Sequence, residues 1–428
     1  MKSSRTGRFT NFPFGHLTAA LLMLLFVASP LSAQAPTPDG LWSAVIVVGK
    51  AEVPFPFELN HKGHQWQGFF FEGDRKIGST SGSFSSGELR LDYEFLNSTL
   101  TATFDGNQWN GTYRYNRKNG REYPFHARAY VAPVPSPSAT PQIAGEWEMK
   151  LVGEDQSATK DPRNVLCWRL FLRQSGGDMN GSILRVDGDT GTLSGRWQGE
   201  SLVLSHFAGE RPVLFEATLQ PDGTLQVLLN KQNRYLAARV SDASAKGIPE
   251  PVDPSKYSGV KDATEPFHFR FPDVNGRVYS DADPQFKGKV VILAIGGTWC
   301  PNCRDEAPFL VDLYRRFHSK GLEIVGLNFE ANGTIADDKP RIESFLREFG
   351  VPYPILYAGA IGEVNDKLPQ IRNFGAYPTS IYLGRDGRVA SIHAGFASSA
   401  TGEAHMALQQ DVAALVERLL ADASKISD

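Results

Sequence analysis

Two cysteines three residues apart, Cys300 and Cys303, stand in the run Thr298-Trp299-Cys300-Pro301-Asn302-Cys303-Arg304-Asp305-Glu306-Ala307-Pro308. A first helical turn brings such a pair to about 5 to 6 Å, within reach of a disulfide, so the bond can open and close without moving the fold. Cys300 falls where a helix begins, and unpaired amides and the helix dipole there favour a thiolate. A thiol with a pKa of about 8.5 is only about 3% ionised at pH 7, whereas one lowered to about 7 is half ionised. Cys300 is therefore the expected attacking sulfur. Cys303, one turn in and expected to be more buried, would resolve a mixed disulfide by intramolecular attack. Zinc would need a second cysteine or histidine pair at ligand spacing, and none stands nearby. An inert staple closing so short a loop would add little stability.

The elements that must position this pair follow from periodicity. Lys289 to Ile295 is a continuous apolar run, as in a strand buried on both faces, and Leu310, Leu313, Tyr314 and Phe317 recur at helical spacing after the cysteines. Leu322 to Phe329 reads as the next strand, and Ile342, Phe345, Leu346 and Phe349 mark a helix with Pro340 near its start and Gly350 past its end. Asn275-Gly276 and Asp386-Gly387 signal hairpins, and Leu408, Val412, Leu415 and Leu419 face inward from a last helix. This order of strands and helices is that of a thioredoxin fold.

Upstream the pattern changes. With 428 residues, the chain exceeds what one core usually organises. Pro-rich stretches at 132–142 and 241–261 read as linkers, which gives β module 1 at 38–131, β module 2 at 143–240 and a thioredoxin-like domain at 262–424. Few contacts are expected to cross such linkers. Both modules read as short alternating strands, such as Glu88 to Tyr93 and Ser201 to His206, so each is expected to be an antiparallel all-β sandwich or barrel. They also resemble each other. Gly40-Leu-Trp42 matches Gly145-Glu-Trp147, Gly82-Ser-Phe84 matches Gly195-Arg-Trp197, and Leu100 to Phe104 matches Leu214 to Leu219 in the same order, which points to a duplication. Trp42 and Trp147 are expected core residues.

Residues 1–33 read as a signal peptide: Lys2, Arg5 and Arg8 form a basic start, Leu17 to Val27 is apolar, and Pro30 to Ala33 is small or turn-forming. Cleavage is expected after Ala33, with an uncleaved membrane anchor as the alternative. Three cysteines are too few for a disulfide scaffold in an exported chain this long. A formal net charge of −3 gives no reason to expect nucleic acid as partner. Cys167, in a strand pattern, is expected to be a buried small apolar residue, and His61 and His64 to be solvated rather than metal-binding.

The run around Cys300 resembles the TlpA-type, extracytoplasmic branch of the thioredoxin-like proteins, which carry a Trp-Cys-x-x-Cys-Arg-x-Glu-x-Pro pattern; the resemblance extends from about Phe267 to Leu420. It implies that Glu306 is the acid/base for the resolving thiol, in place of the Asp that ordinary thioredoxin has on the preceding strand, where Ala294 stands. It further implies a cis-proline at Pro378, a kink proline at Pro308, and a substrate edge built from Trp299, Pro301, Tyr377, Pro378 and Thr379. The chain departs from the pattern at Ile295-Gly296-Gly297, where many members have Phe-Trp-Ala, and at Pro301-Asn302 between the cysteines. The implied function is a protein thiol-disulfide oxidoreductase, working as a reductase fed by a membrane-embedded electron donor, without cofactor or metal. The alternatives are a thiol peroxidase of related fold, and a ligand- or envelope-binding protein whose β modules carry the function.

Overall fold

The computed structural model describes residues 38–117, 120–132, 140–152, 163 and 167–422. The signal-peptide reading and most of the first linker lie outside these residues. Among the described residues no helix is long and apolar enough to cross a membrane.

Strict alternation builds the first module. Along Ala51–Lys62, Val53, Phe55, Phe57 and Leu59 are buried while Glu52, Pro54 and Pro56 face out. Its strands form an antiparallel meander in which Gly40–Val48 pairs with both Ala51–Lys62 and Glu122–Ala129, so first and last strands join and curl the sheet around one core. In the second module Trp168–Ser175 pairs with both Gly145–Leu151 and Asp178–Arg185, and Gly145–Leu151 pairs with Asn233–Arg239, which closes a barrel. Trp42 and Trp147 are each 1% exposed and sit in their module's core. The strands Glu88–Tyr93 and Ser201–His206 fall where the alternation placed them.

The modules are joined through a plug. Phe207, Ala208 and Leu214 of the second module belong to the first module's core, with the Phe207 ring 4.8 Å from Phe55 and 5.3 Å from Phe70.

The third region is a five-stranded sheet in the order Ile355–Ala360, Leu322–Glu330, Val290–Gly296, Thr379–Leu383, Val389–Ala394, with the first three parallel and Thr379–Leu383 antiparallel to both its neighbours. Helices Pro301–Phe317, Ile335–Phe349 and Glu403–Ala421 complete the α/β thioredoxin fold. Its two large apolar clusters are formed by residues from Val260 onward, and a small third one joins Ala376 and Ala394 to Val186 of the second module.

Two expectations need correction. The second helix begins at Ile335, capped by the Thr334 hydroxyl, so Pro340 lies inside it rather than near its start. Gly350 ends it at φ 58°, a conformation that favours glycine. The expectation of few contacts between the parts also fails. The 241–261 segment is packed: Gly259–Val260 pairs with Ile371–Arg372, and Ser258 donates to the Asn373 carbonyl. Further contacts from the second module reach the first turn of the cysteine-bearing helix.

Candidate redox site

Cys300 and Cys303 are joined as a disulfide with their Cα atoms 5.2 Å apart. Cys300 is the N-cap of helix Pro301–Phe317, Pro301 fills the first helical position, and the Cys300 Sγ accepts the Cys303 amide at 3.2 Å. That amide would stabilise negative charge on Cys300 once the bond opens. Pro308 lies inside the helix.

Glu306 is buried one turn beyond Cys303. Its Oε1 accepts the Ser380 hydroxyl at 2.8 Å, and burial pushes its carboxyl up to about 7, against the lowering effect of that hydrogen bond. Between Cys303 and Glu306 lies a cavity of about 30 Å³, lined also by Asn328 and Tyr353, with room for a single water. A carboxyl poised near neutrality beside a buried thiol can exchange a proton with it directly or through one water.

The glycines at the departure from the family pattern have a local reason. A Cβ on Gly297 would stand 2.4 Å from the Trp299 Nε1 and 2.7 Å from the Phe329 carbonyl, and one on Gly296 would press the Cys303 Sγ at 3.1 Å. The indole of Trp299 uses the space, donating to the Phe329 carbonyl at 2.7 Å and meeting Tyr377 edge-on at 5.1 Å.

Trp299, Cys300, Pro301 and Tyr377 line one cleft of about 1150 Å³. The Tyr377–Pro378 peptide is cis. Thr379 is fully buried, its hydroxyl donating to the Ala376 carbonyl, and is not brought to the cleft. Cys167 is buried away from the site beside Ala238, Ala243 and Ile248, where burial pushes its thiol up to about 11. His61 stacks on Trp66 at 4.8 Å, facing Asp39.

Sequence reasoning missed two groups of residues at this site. Glu330, at the end of a buried strand, accepts the Thr298 amide at 2.9 Å, the Thr298 hydroxyl at 2.7 Å and the Asn328 amide at 2.8 Å, and so holds the loop before Cys300. Burial raises its pKa above the ordinary carboxyl value, with these hydrogen bonds opposing. A lone carboxylate closing an apolar strand was the available signal. The second group comes from β module 2 and has no such signal. Arg211 donates to the Asn302 Oδ1 at 2.6 Å and to Asp305 at 3.0 Å, Asn302 donates to the Asp187 carbonyl at 2.6 Å, and Arg304 pairs with Glu210. Burial works against the Arg211 charge, yet Asp305, Glu72 and Asp189 hold its pKa above the ordinary value. Arg211 sits at φ 51°, a sparsely populated conformation for a non-glycine residue that only well-determined surroundings maintain.

These contacts overturn the expected order of exposure. Cys300 is 3% exposed and Cys303 7%, because the second module covers the helix start that an isolated thioredoxin fold would leave open.

Residues 260–406 match the Redoxin family. The C-terminal third is a Redoxin domain. The resemblance read from the cysteine motif therefore holds for this domain. The chain is 26% identical over 136 residues to the thiol-disulfide oxidoreductase ResA of Bacillus subtilis, covering 32% of this chain and 69% of that one. It is 28% identical over 138 residues to ResA of Geobacillus kaustophilus, covering 32% and 72%. Among solved structures, a thioredoxin-family thiol:disulfide interchange protein from Chlorobium tepidum is 25% identical, with a TM-score of 0.29, over 37% of this chain and 98% of that one. The β modules lie outside the Redoxin match.

Proposed function

We propose that the chain is an extracytoplasmic protein thiol-disulfide oxidoreductase that works as a disulfide reductase. The observation that carries this reading is the Cys300–Cys303 pair at a helix N-terminus, with Glu306 buried one turn beyond it and Tyr377 lining the same cleft as Cys300. In the reduced protein the Cys300 thiolate attacks a substrate disulfide; that S–S bond breaks, one substrate sulfur leaves as thiolate, and a mixed disulfide forms. Glu306 takes the Cys303 proton, the Cys303 thiolate attacks the Cys300 sulfur, and the second substrate sulfur leaves. Two electrons pass to the substrate, and the enzyme ends as the disulfide. Trp299, Pro301, Tyr377 and Pro378 form the substrate edge in this reading.

The basic start and apolar run of residues 1–33 support export, and outside the cytoplasm a membrane-embedded dithiol donor would return the pair to its reduced state. The direction of electron flow is open to a direct test. Equilibration of the Cys300/Cys303 pair in a redox buffer is expected to give a potential of about −270 mV, as for reductases; a value of about −120 mV would make it an oxidant.

The domain boundaries belong to the same reading, as does the duplication of the β modules. For the duplication, the support is that the matched segments occupy the same places in the two strand orders, with Gly40 and Gly145 opening the first strands at φ 112° and 119°. For the third domain, it is that its two large apolar clusters contain no residue upstream of Val260. A fragment from residue 262 onward is therefore expected to fold and to reduce a generic small disulfide; an insoluble or inactive fragment would count against an independent domain.

A further inference from the structure

The proposed chemistry needs only the Redoxin domain, yet the residues that close over it come from the β modules. Between strands Ser201–His206 and Val213–Leu219 the chain drives Phe207 into the first module's core, and the Tyr113 hydroxyl of that module holds the Gly209 carbonyl at 2.7 Å. The next two residues, Glu210 and Arg211, land on the first turn of the cysteine helix, on Arg304 and on Asn302 with Asp305. A second loop closes from the other side. The Asp187 carbonyl takes the Asn302 amide, and Asp189 takes the Ser398 amide at 2.5 Å and its hydroxyl at 3.0 Å. The first module anchors one clamp, the second carries both, and Asn302, between the two cysteines, is gripped by each.

The consequence is geometric. Cys300 lines a cleft of about 1150 Å³ to which the Redoxin domain contributes Trp299 and Tyr377 and the second module Asp187, Pro212 and Val213. A folded protein presenting a surface disulfide must lay a convex patch, typically about 800 Å² per partner, on the Trp299 and Tyr377 face. Residues of the second module already line the same cleft. A single extended chain needs only about 5 Å by 10 Å of cross-section.

We propose that the two β modules are a size filter on the redox centre, admitting to Cys300 a disulfide carried on one extended chain or a smaller molecule and refusing one on the surface of a folded protein. This rests on the reading of Cys300 as the attacking sulfur, and each turnover follows the two-electron exchange given above.

Pre-reduced full-length protein, mixed in stopped flow with three disulfides, tests the filter in single turnovers that need no added donor. The disulfides are 5,5′-dithiobis(2-nitrobenzoate), an unstructured peptide with one intrachain disulfide, and a folded protein with a surface disulfide, each rate being normalised to that of dithiothreitol. The first two are expected to oxidise the enzyme within tenfold of each other and the folded protein at least a hundredfold more slowly. Phe207→Ala, which frees the anchored loop, is expected to raise the folded-protein rate at least tenfold and leave the small-reagent rate within twofold. Should that variant lose its fold by circular dichroism, Glu210→Ala loosens the same loop without touching a core. Equal rates on all three disulfides, or selectivity unchanged in the folded loop variant, would overturn the filter while leaving the oxidoreductase reading intact. Inertness toward all three would overturn both.

Discussion

Cys300→Ser is expected to lower disulfide reduction by more than about a thousandfold, as loss of an attacking nucleophile does. Cys303→Ser is expected to accumulate a covalent mixed disulfide with substrate, visible on a non-reducing gel and released by dithiothreitol. The asymmetry follows from position. Cys300 receives the Cys303 amide at the helix start, while Cys303 lies a turn in, backed by the cavity and Glu306. Burial of both sulfurs removes exposure as the criterion, so the helix-end electrostatics must assign the roles. Trapping by Cys300→Ser in place of Cys303→Ser would reverse them.

Glu306→Gln is expected to slow turnover about a hundredfold near pH 7 to 8, the usual contribution of a positioned proton acceptor. The carboxyl must be ionised to accept the Cys303 proton, and burial brings its pKa to about 7. Its advantage therefore appears as pH rises through 7 and fades toward pH 9, where Cys303 ionises unaided. A variant matching wild type from pH 6 to 9 in stopped-flow reduction would remove Glu306 from the mechanism. The same substitution should act on stability with the opposite sign. The folded pKa of about 7 lies above the ordinary value of 4.5, so the native state keeps a proton that the unfolded chain releases. That contribution is fully present below about pH 4.5 and is lost as pH rises through 7, a difference of about 3 kcal/mol. Urea denaturation should find the Gln variant equal to wild type near pH 4.5 and more stable by up to that amount at pH 8. Equal stabilities at pH 8 would mean that the carboxylate is better solvated than its burial implies.

The parts of this protein that are written locally are legible in its sequence. Apolar continuity places the strands at Val290–Gly296 and Leu322–Glu330, period-2 alternation places Glu88–Tyr93 and Ser201–His206, and the Cys-x-x-Cys spacing at a strand-to-helix turn names the redox pair. Glu306 comes from its place in the motif, although its pKa near neutrality depends on burial beside the cavity and Ser380, which the motif does not show. Sandwich and barrel cannot be told apart by alternation, because both bury one face of every strand; the pairing of Trp168–Ser175 with two neighbours decides for the second module. Closure over Cys300 is wholly a tertiary matter. Arg211 and Asp187 meet Asn302 across 91 and 115 residues, and single ion pairs and carbonyl contacts between loops leave no period in a sequence. The Pro-rich segment that suggests separable domains reports only that its own backbone is irregular. Whether the parts on either side then touch depends on loop shapes, and here a phenylalanine of the second module, plugged into the first module's core, sets an arginine of the same loop against the redox helix.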